Sequence, residues 1–186
     1  MRYRIHQFRT LTSTNDFALK LGAAGAEEGL IIRTDFQSRG RGRYSREWIS
    51  EERKNLLFTL LIRPRIRANQ AALLTHVAAV SVREGIERIY PEIKCALKKP
   101  NDVLIRGKKV CGILVESRTM SDWIDFAAIG IGINTDYYPL SLAEYATSIS
   151  KEINRKTEKE AVFDAIIKEI SLKYDEMFSK FTYGSE

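Results

Sequence analysis

The sequence predicts an α+β domain: a mixed, largely antiparallel sheet with helices packed mainly on one face. Three observations point there. Short strand-like segments follow one another, and two of them are joined by the tight-hairpin signal Arg106-Gly107-Lys108-Lys109. Residues 68–90 place Ala71, Leu74, Ala78, Val82, Ile86 and Ile89 on one helical face. A second amphipathic stretch, through Val162, Ile166, Ile170, Tyr174 and Met177, follows near the C-terminus. With 186 residues, 44% hydrophobic and 29% charged, the chain suits one domain with a sizeable core.

The elements run as follows. Residues 5–8 read as a short strand. Thr12-Ser13-Thr14-Asn15-Asp16 is a cluster of helix-capping residues, and the helix it opens should stop near Gly22 or Gly25. Residues 29–36 (GLIIRTDF) and 55–63 (NLLFTLLIR) are apolar strands, the second ended by Pro64. After the 68–90 helix come strands at 93–97, 103–105 and 110–116, then a buried strand at 123–133 with glycines at 130 and 132. Those glycines mark places where a ligand or another backbone comes close. Thr157-Glu158-Lys159-Glu160 matches a capping box for the last helix.

Bulk properties exclude several classes. The net charge of +6 suits anionic ligands, but acidic residues are interspersed, so charge alone does not require nucleic acid. Cys95 and Cys111 make neither a disulfide framework nor a metal cluster and read as buried thiols in a reducing compartment. His6 and His76 are far apart, and no nucleophile triad can be assembled. The N-terminus lacks a signal core, and no apolar run approaches the ~20 residues of a membrane span. A soluble, cytoplasmic protein with no membrane association is expected.

Four constellations could carry chemistry. Gln37-Ser38-Arg39-Gly40-Arg41-Gly42-Arg43, followed by Trp48, alternates cations with glycines just after a strand. Such a loop can turn N–H groups and fixed positive charge toward a phosphate, although a short run of this kind could equally touch RNA or be solvated. Lys98-Lys99-Pro100-Asn101-Asp102 puts an acid beside lysines at a strand start, where a divalent cation could be held, and is also what an ordinary turn looks like. Lys109, ahead of Val110-Cys111-Gly112-Ile113-Leu114, could neutralise charge during acyl or phosphoryl transfer, or be a solvated turn lysine. Gly130-Ile131-Gly132-Ile133-Asn134 leaves Asn134 at a strand end, as a nucleotide reader or as a turn former.

The order of these motifs is more specific than any one of them. Ser13-Thr14-Asn15, the Gly-Arg-Gly-Arg loop with Trp48, Lys98-x-Pro-Asn-Asp, Lys109-x-x-Gly-Ile-Leu and Gly-x-Gly-Ile-Asn together resemble the biotin–protein ligases, over residues 10–135 and more weakly beyond. The resemblance implies a biotin–protein ligase/lipoate ligase-like catalytic domain. Such an enzyme joins biotin to ATP as biotinoyl-5′-adenylate, then passes biotin to one lysine of a carboxyl-carrier domain. It implies that Ser13, Thr14, Asn15, Gln37, Gly40, Arg41, Gly42, Arg43, Lys109 and Gly112 bind biotin, with Lys109 and Arg41 catalytic. Arg43, Lys98, Asn101, Asp102 and Asn134 fall on the ATP side, and Asp102 is the implied magnesium ligand. Cys111 follows on the same pocket wall, and Trp48 anchors the loop.

The chain departs from the family pattern at Lys99, where a tryptophan is usual. The reading takes 1–186 as a single catalytic domain, without an N-terminal DNA-binding domain or the small C-terminal β-barrel of many relatives. A DNA-binding role is therefore not expected, and a homodimer is plausible by similarity. Two rivals remain at this level: a lipoate–protein ligase-like acyltransferase, and a non-catalytic module that binds biotin or a nucleotide.

Overall fold

The computed structural model describes residues 1–179. Seven strands form one sheet: β1 (Arg4–Leu11), β2 (Leu30–Gln37), β3 (Leu56–Ile62), β4 (Cys95–Lys98), β5 (Asp102–Ile105), β6 (Lys108–Met120) and β7 (Trp123–Ile133). Their spatial order is β1-β2-β3-β7-β6-β5-β4. Only β1 and β2 pair in parallel, and every other neighbouring pair is antiparallel. The parallel step needs a crossover, which helix α1 (Thr14–Ala23) supplies.

Local chemistry accounts for most boundaries. Arg106 and Gly107 both have positive φ, 49° and 80°, giving the two-residue turn whose twist matches that of the strands it joins. Ser121, at φ 54°, begins the two-residue turn from β6 into β7, so β6 runs past the expected residue 116. The helix expected from residue 68 begins with a 3₁₀ turn at Ala68–Gln70 before α2 (Ala72–Ile89). Ile93 is buried against the core before β4 starts at Cys95.

The expected capping box at Thr157 does not form. The Thr157 hydroxyl donates to the Thr135 carbonyl, and the Glu160 carboxylate is engaged by Arg33. Helix α4 (Lys159–Ser179) is instead held at its start by tertiary bonds, including Glu158 N–H to the Tyr90 hydroxyl at 2.7 Å.

The two faces of the sheet are unequal, and the inequality creates the site. On one face, Ile31, Leu56, Phe58, Leu60 and Ile62 pack with residues of α2 and α4 into one large apolar core. On the other, α1 is the one described helix that packs on the sheet, through a smaller cluster of Ala18, Leu30, Ile32, Leu61, Phe126 and Ala128. Following β7 past Ala128 on this second face, the next residues are Gly130 and Gly132. The side chains that would fill the space beyond α1 are missing there, and a cleft remains. A short helix, α3 (Ile149–Ile153), is capped by Ser148 and lies just beyond the loop that borders this cleft. No described helix is long and apolar enough to cross a membrane.

Candidate active site

The cleft has a volume of about 580 Å³. Its floor is the β6–β7 pairing, where Gly112 lies opposite Gly132 and Leu114 opposite Gly130. A Cβ on Gly132 would come within 2.6 Å of the Trp48 ring, and one on Gly112 within 2.9 Å of it. A Cβ on Gly130 would fall 2.1 Å from Asn15 Oδ1. The close approach expected at Gly130 and Gly132 is therefore made first by the protein's own Asn15 and Trp48. The Trp48 indole N–H is buried without a hydrogen-bond partner among the described residues.

One wall is polar and tightly ordered. Ser13 caps α1, accepting from Asp16 N–H at 3.3 Å, and so projects Thr14 and Asn15 over the sheet. Gln37 Oε1 accepts from both the N–H and the hydroxyl of Thr14, at 2.8 and 3.0 Å. Thr59 was not singled out in the sequence. Its hydroxyl lies 2.8 Å from that of Thr14 and 2.7 Å from Asn15 Oδ1. It is the one hydroxyl in the run Leu56–Ile62, which is the signal that could have found it. The Asn15 amide donates to the Leu114 carbonyl at 3.1 Å and to Glu116 at 2.9 Å.

The glycine-arginine segment forms a small hairpin over the cleft. Trp48 N–H donates to the Gly40 carbonyl at 2.9 Å and Gly42 N–H to the Arg46 carbonyl at 2.7 Å. The Gly42 N–H is thus spent within the hairpin, and does not face an anion as the glycine pattern suggested. The positive-φ residues at the tip are Tyr44 (56°) and Ser45 (58°), not glycines. Gly40 is needed for proximity, because a Cβ there would sit 2.5 Å from the Trp48 carbonyl oxygen. Gly40 itself is buried and is not on the cleft lining.

The two flap arginines differ. Arg41 Nη2 is 2.5 Å from Asp16 Oδ1 and 3.0 and 2.8 Å from the Glu116 oxygens. Burial disfavours its charge, but hydrogen bonding and Coulombic attraction to Glu116 and Asp16 outweigh this and raise its pKa. Arg43 lines the cleft and stacks on the Tyr44 ring, 4.9 Å from its centroid. Expected together as anion-facing groups, they divide: Arg41 is turned to two carboxylates, while Arg43 has no carboxylate partner among the described ion pairs.

On the opposite wall, Lys109 Nζ pairs with Asp102 Oδ1 at 2.7 Å and lies 5.6 Å from the Trp48 ring centroid. Its backbone is fixed by Tyr145 O and Thr147 N, at 2.7 and 2.9 Å. Asn101 and Asn134 reach the lining, but their amides are committed. Asn101 donates to the Ile113 carbonyl at 2.7 Å. Asn134 donates to the Thr147 carbonyl at 3.0 Å and accepts from Asn55 at 3.2 Å. Lys98 and Lys99 line the cleft and are exposed, just before the cis Lys99–Pro100 peptide. Cys111 does not join the wall: strand alternation turns it into the α2/α4 core, where burial pushes its thiol well above the ordinary value. Six cations (Arg41, Arg43, Arg46, Lys98, Lys99, Lys109) face two acids (Glu47, Asp102) around the cleft, giving it a positive field.

Among the described residues no group of three or more His, Cys, Asp or Glu could hold a metal. Asp102 could contribute one carboxylate, which fits a magnesium ion held mostly by substrate phosphates and water.

Biotin protein ligase from Aquifex aeolicus, solved in complex with biotin and ATP, superposes with a TM-score of 0.80 at 28% identity, covering 95% of this chain and 72% of that one. The chain belongs to the biotin/lipoate A/B protein ligase family, whose model matches residues 7–134. The bifunctional ligase/repressor BirA of Bacillus subtilis is 38% identical over 161 residues, 84% of this chain and 49% of that protein. The biotin–[acetyl-CoA-carboxylase] ligase of Paracoccus denitrificans is 41% identical over 123 residues, 66% of this chain and 50% of that protein. The chain thus spans about half the length of the curated relatives it matches.

Proposed function

We propose that the protein is an ATP-dependent biotin–protein ligase that adenylates biotin and transfers it to a lysine of a carboxyl-carrier domain. The observation that carries this reading is the convergence of the Thr14–Asn15–Gln37–Thr59 wall and the Lys109–Asp102 pair on one cleft beneath a cationic hairpin. The wall offers donors and acceptors in a fixed pattern, as a cyclic urea requires. A dithiolane ring offers this polar wall no hydrogen-bonding group, which favours a cyclic urea over the lipoate alternative.

Adenylation brings a carboxylate to the α-phosphate of ATP. Two anions must approach, and negative charge grows on the five-coordinate phosphorus. Lys109 is placed to hold the carboxylate and stabilise that charge. Arg43 adds a second cation from the hairpin. Asp102 orients the Lys109 amine, and it is the protein ligand a phosphate-bound magnesium ion would use. Bound there, the ion supplies charge neutralisation on the phosphates. The hairpin shields the mixed anhydride from water until the acceptor lysine arrives. Asn101 and Asn134 act by fixing the walls on the nucleotide side. The continuous seven-stranded sheet supports reading the described residues as one catalytic unit, and its edges, β1 and β4, are the surfaces an edge-to-edge homodimer would use.

The test is transfer of labelled biotin to a carrier domain with ATP and magnesium, alongside biotin-dependent pyrophosphate release. Labelling of a single carrier lysine is expected. Biotin binding without pyrophosphate release would instead mark a non-catalytic module, and preferential lipoate binding would mark the acyltransferase.

A further inference from the structure

Glu116 belongs to neither the expected site nor the apolar core, yet it touches both halves of the cleft. It lies on β6 opposite Ala128 and on the same sheet face as Gly112 and Leu114. One carboxylate oxygen accepts from the Asn15 amide at 2.9 Å, and both accept from Arg41 Nη2, at 3.0 and 2.8 Å. Asn15 is 4% exposed and fixed by Thr59 and Leu114, so it belongs to the rigid wall. Arg41 is on the hairpin, which is otherwise held by its own turn bonds and by the seating of Trp48 against Gly112 and Gly132. Asp16, the residue after Asn15 on α1, adds a second acid to Arg41 at 2.5 Å. The three charged side chains are 38%, 27% and 45% exposed, for Arg41, Glu116 and Asp16, so the contact can open.

We infer that Glu116 is a positioning residue that ties the ligand-facing Asn15 to the hairpin arginine Arg41, so that occupation of the polar wall is passed to closure of the flap. Both Asn15 amide hydrogens are spent on Leu114 and Glu116, so a ligand donating to Asn15 Oδ1 strengthens the hold on that amide. The amide fixes the Glu116 carboxylate, and the carboxylate holds Arg41 down. Arg41 therefore works as a latch, and Arg43 and Arg46 remain the hairpin cations available to an anion.

The experiment is hydrogen–deuterium exchange of the hairpin amides, residues 40–48, in wild type, Glu116→Gln, Arg41→Gln and the double variant. Without ligand, each single variant should exchange about fivefold faster there, the population change of an interaction worth ~1 kcal/mol. The double variant should exchange no faster than Arg41→Gln alone, because Arg41→Gln already removes the Glu116 contact together with the one to Asp16. Unchanged exchange in Glu116→Gln, or additive effects in the double variant, would overturn the latch. The coupling to the wall is read with biotin as the probe and rests on the function proposed above. Biotin should slow hairpin exchange in wild type and lose most of that effect in Glu116→Gln. Equal slowing in both would overturn the coupling. Absence of biotin binding to wild type by calorimetry would count against the proposed function instead, with the ligand-free comparison still deciding the latch.

Discussion

Gly130→Ala tests whether the polar wall is built on the glycine floor. The new methyl carbon would lie 2.1 Å from Asn15 Oδ1 and 2.8 Å from its Cγ, far inside contact distance. Asn15 must swing away, giving up its bonds to Leu114 and Glu116 and its contact with Thr59, at 3.1, 2.9 and 2.7 Å. At about 1 kcal/mol net for each, the loss is about 3 kcal/mol, reduced by a few tenths because alanine lowers the entropy of the unfolded chain. For a chain of this size that corresponds to a melting temperature lower by roughly 6–12 °C. The assay is thermal unfolding by circular dichroism, paired with calorimetric titration of biotin, whose affinity should fall with it. Gly42→Ala is the control, since its Cβ would meet only Arg46, at an ordinary 3.4 Å, and φ is −114°. If Gly130→Ala melts within about 1 °C of wild type and binds biotin equally well, the placement of Asn15 over Gly130 is refuted.

Other outcomes follow from the same geometry. Lys109→Ala should slow biotin-dependent pyrophosphate release by about 10²–10³-fold while weakening biotin binding much less, and a wild-type rate would remove Lys109 from the chemistry. Burial works against the Glu84 charge, but Lys173 and Arg83 outweigh it and hold its carboxyl below the ordinary 4.5. A depressed folded-state pKa gives stability that is present above the unfolded value and lost as pH falls through the folded one. Wild type should therefore melt above Glu84→Gln at neutral pH, with the gap closing in acid, and a gap independent of pH would contradict the ion pair. Burial pushes the Cys95 thiol up to about 12 and Cys111 higher still. Both should resist iodoacetamide at pH 8 in the native protein and react after unfolding, and rapid native labelling would show that these thiols are accessible.

What could be read along the chain was local. The strand at Trp123–Ile133 coincides with its apolar run, and the Arg106–Gly107 turn with its hairpin signal, because both are set by neighbours in sequence. Gly130 and Gly132 could be read as places of close approach, but not as seats for Asn15 and Trp48, which come from far along the chain. The capping pattern at Thr157 lost to Arg33 and Thr135, a tertiary override of a local preference. Arg41 could be recognised as a flap cation, yet its partner Glu116 is 75 residues away and sits in an ordinary-looking strand. Cys111 and Gly112 are adjacent in sequence and fall on opposite faces of the sheet, which strand alternation demands once the register is known.

The most direct measurement is the structure of the protein soaked with biotin and ATP. Biotin should lie with its ring against Thr14, Asn15 and Gln37 and with a carboxyl oxygen bonded to the α-phosphorus beside Lys109, under the hairpin, pyrophosphate having been released. Ligand density away from this cleft, or a carboxylate out of reach of the Lys109 amine, would contradict the assignment.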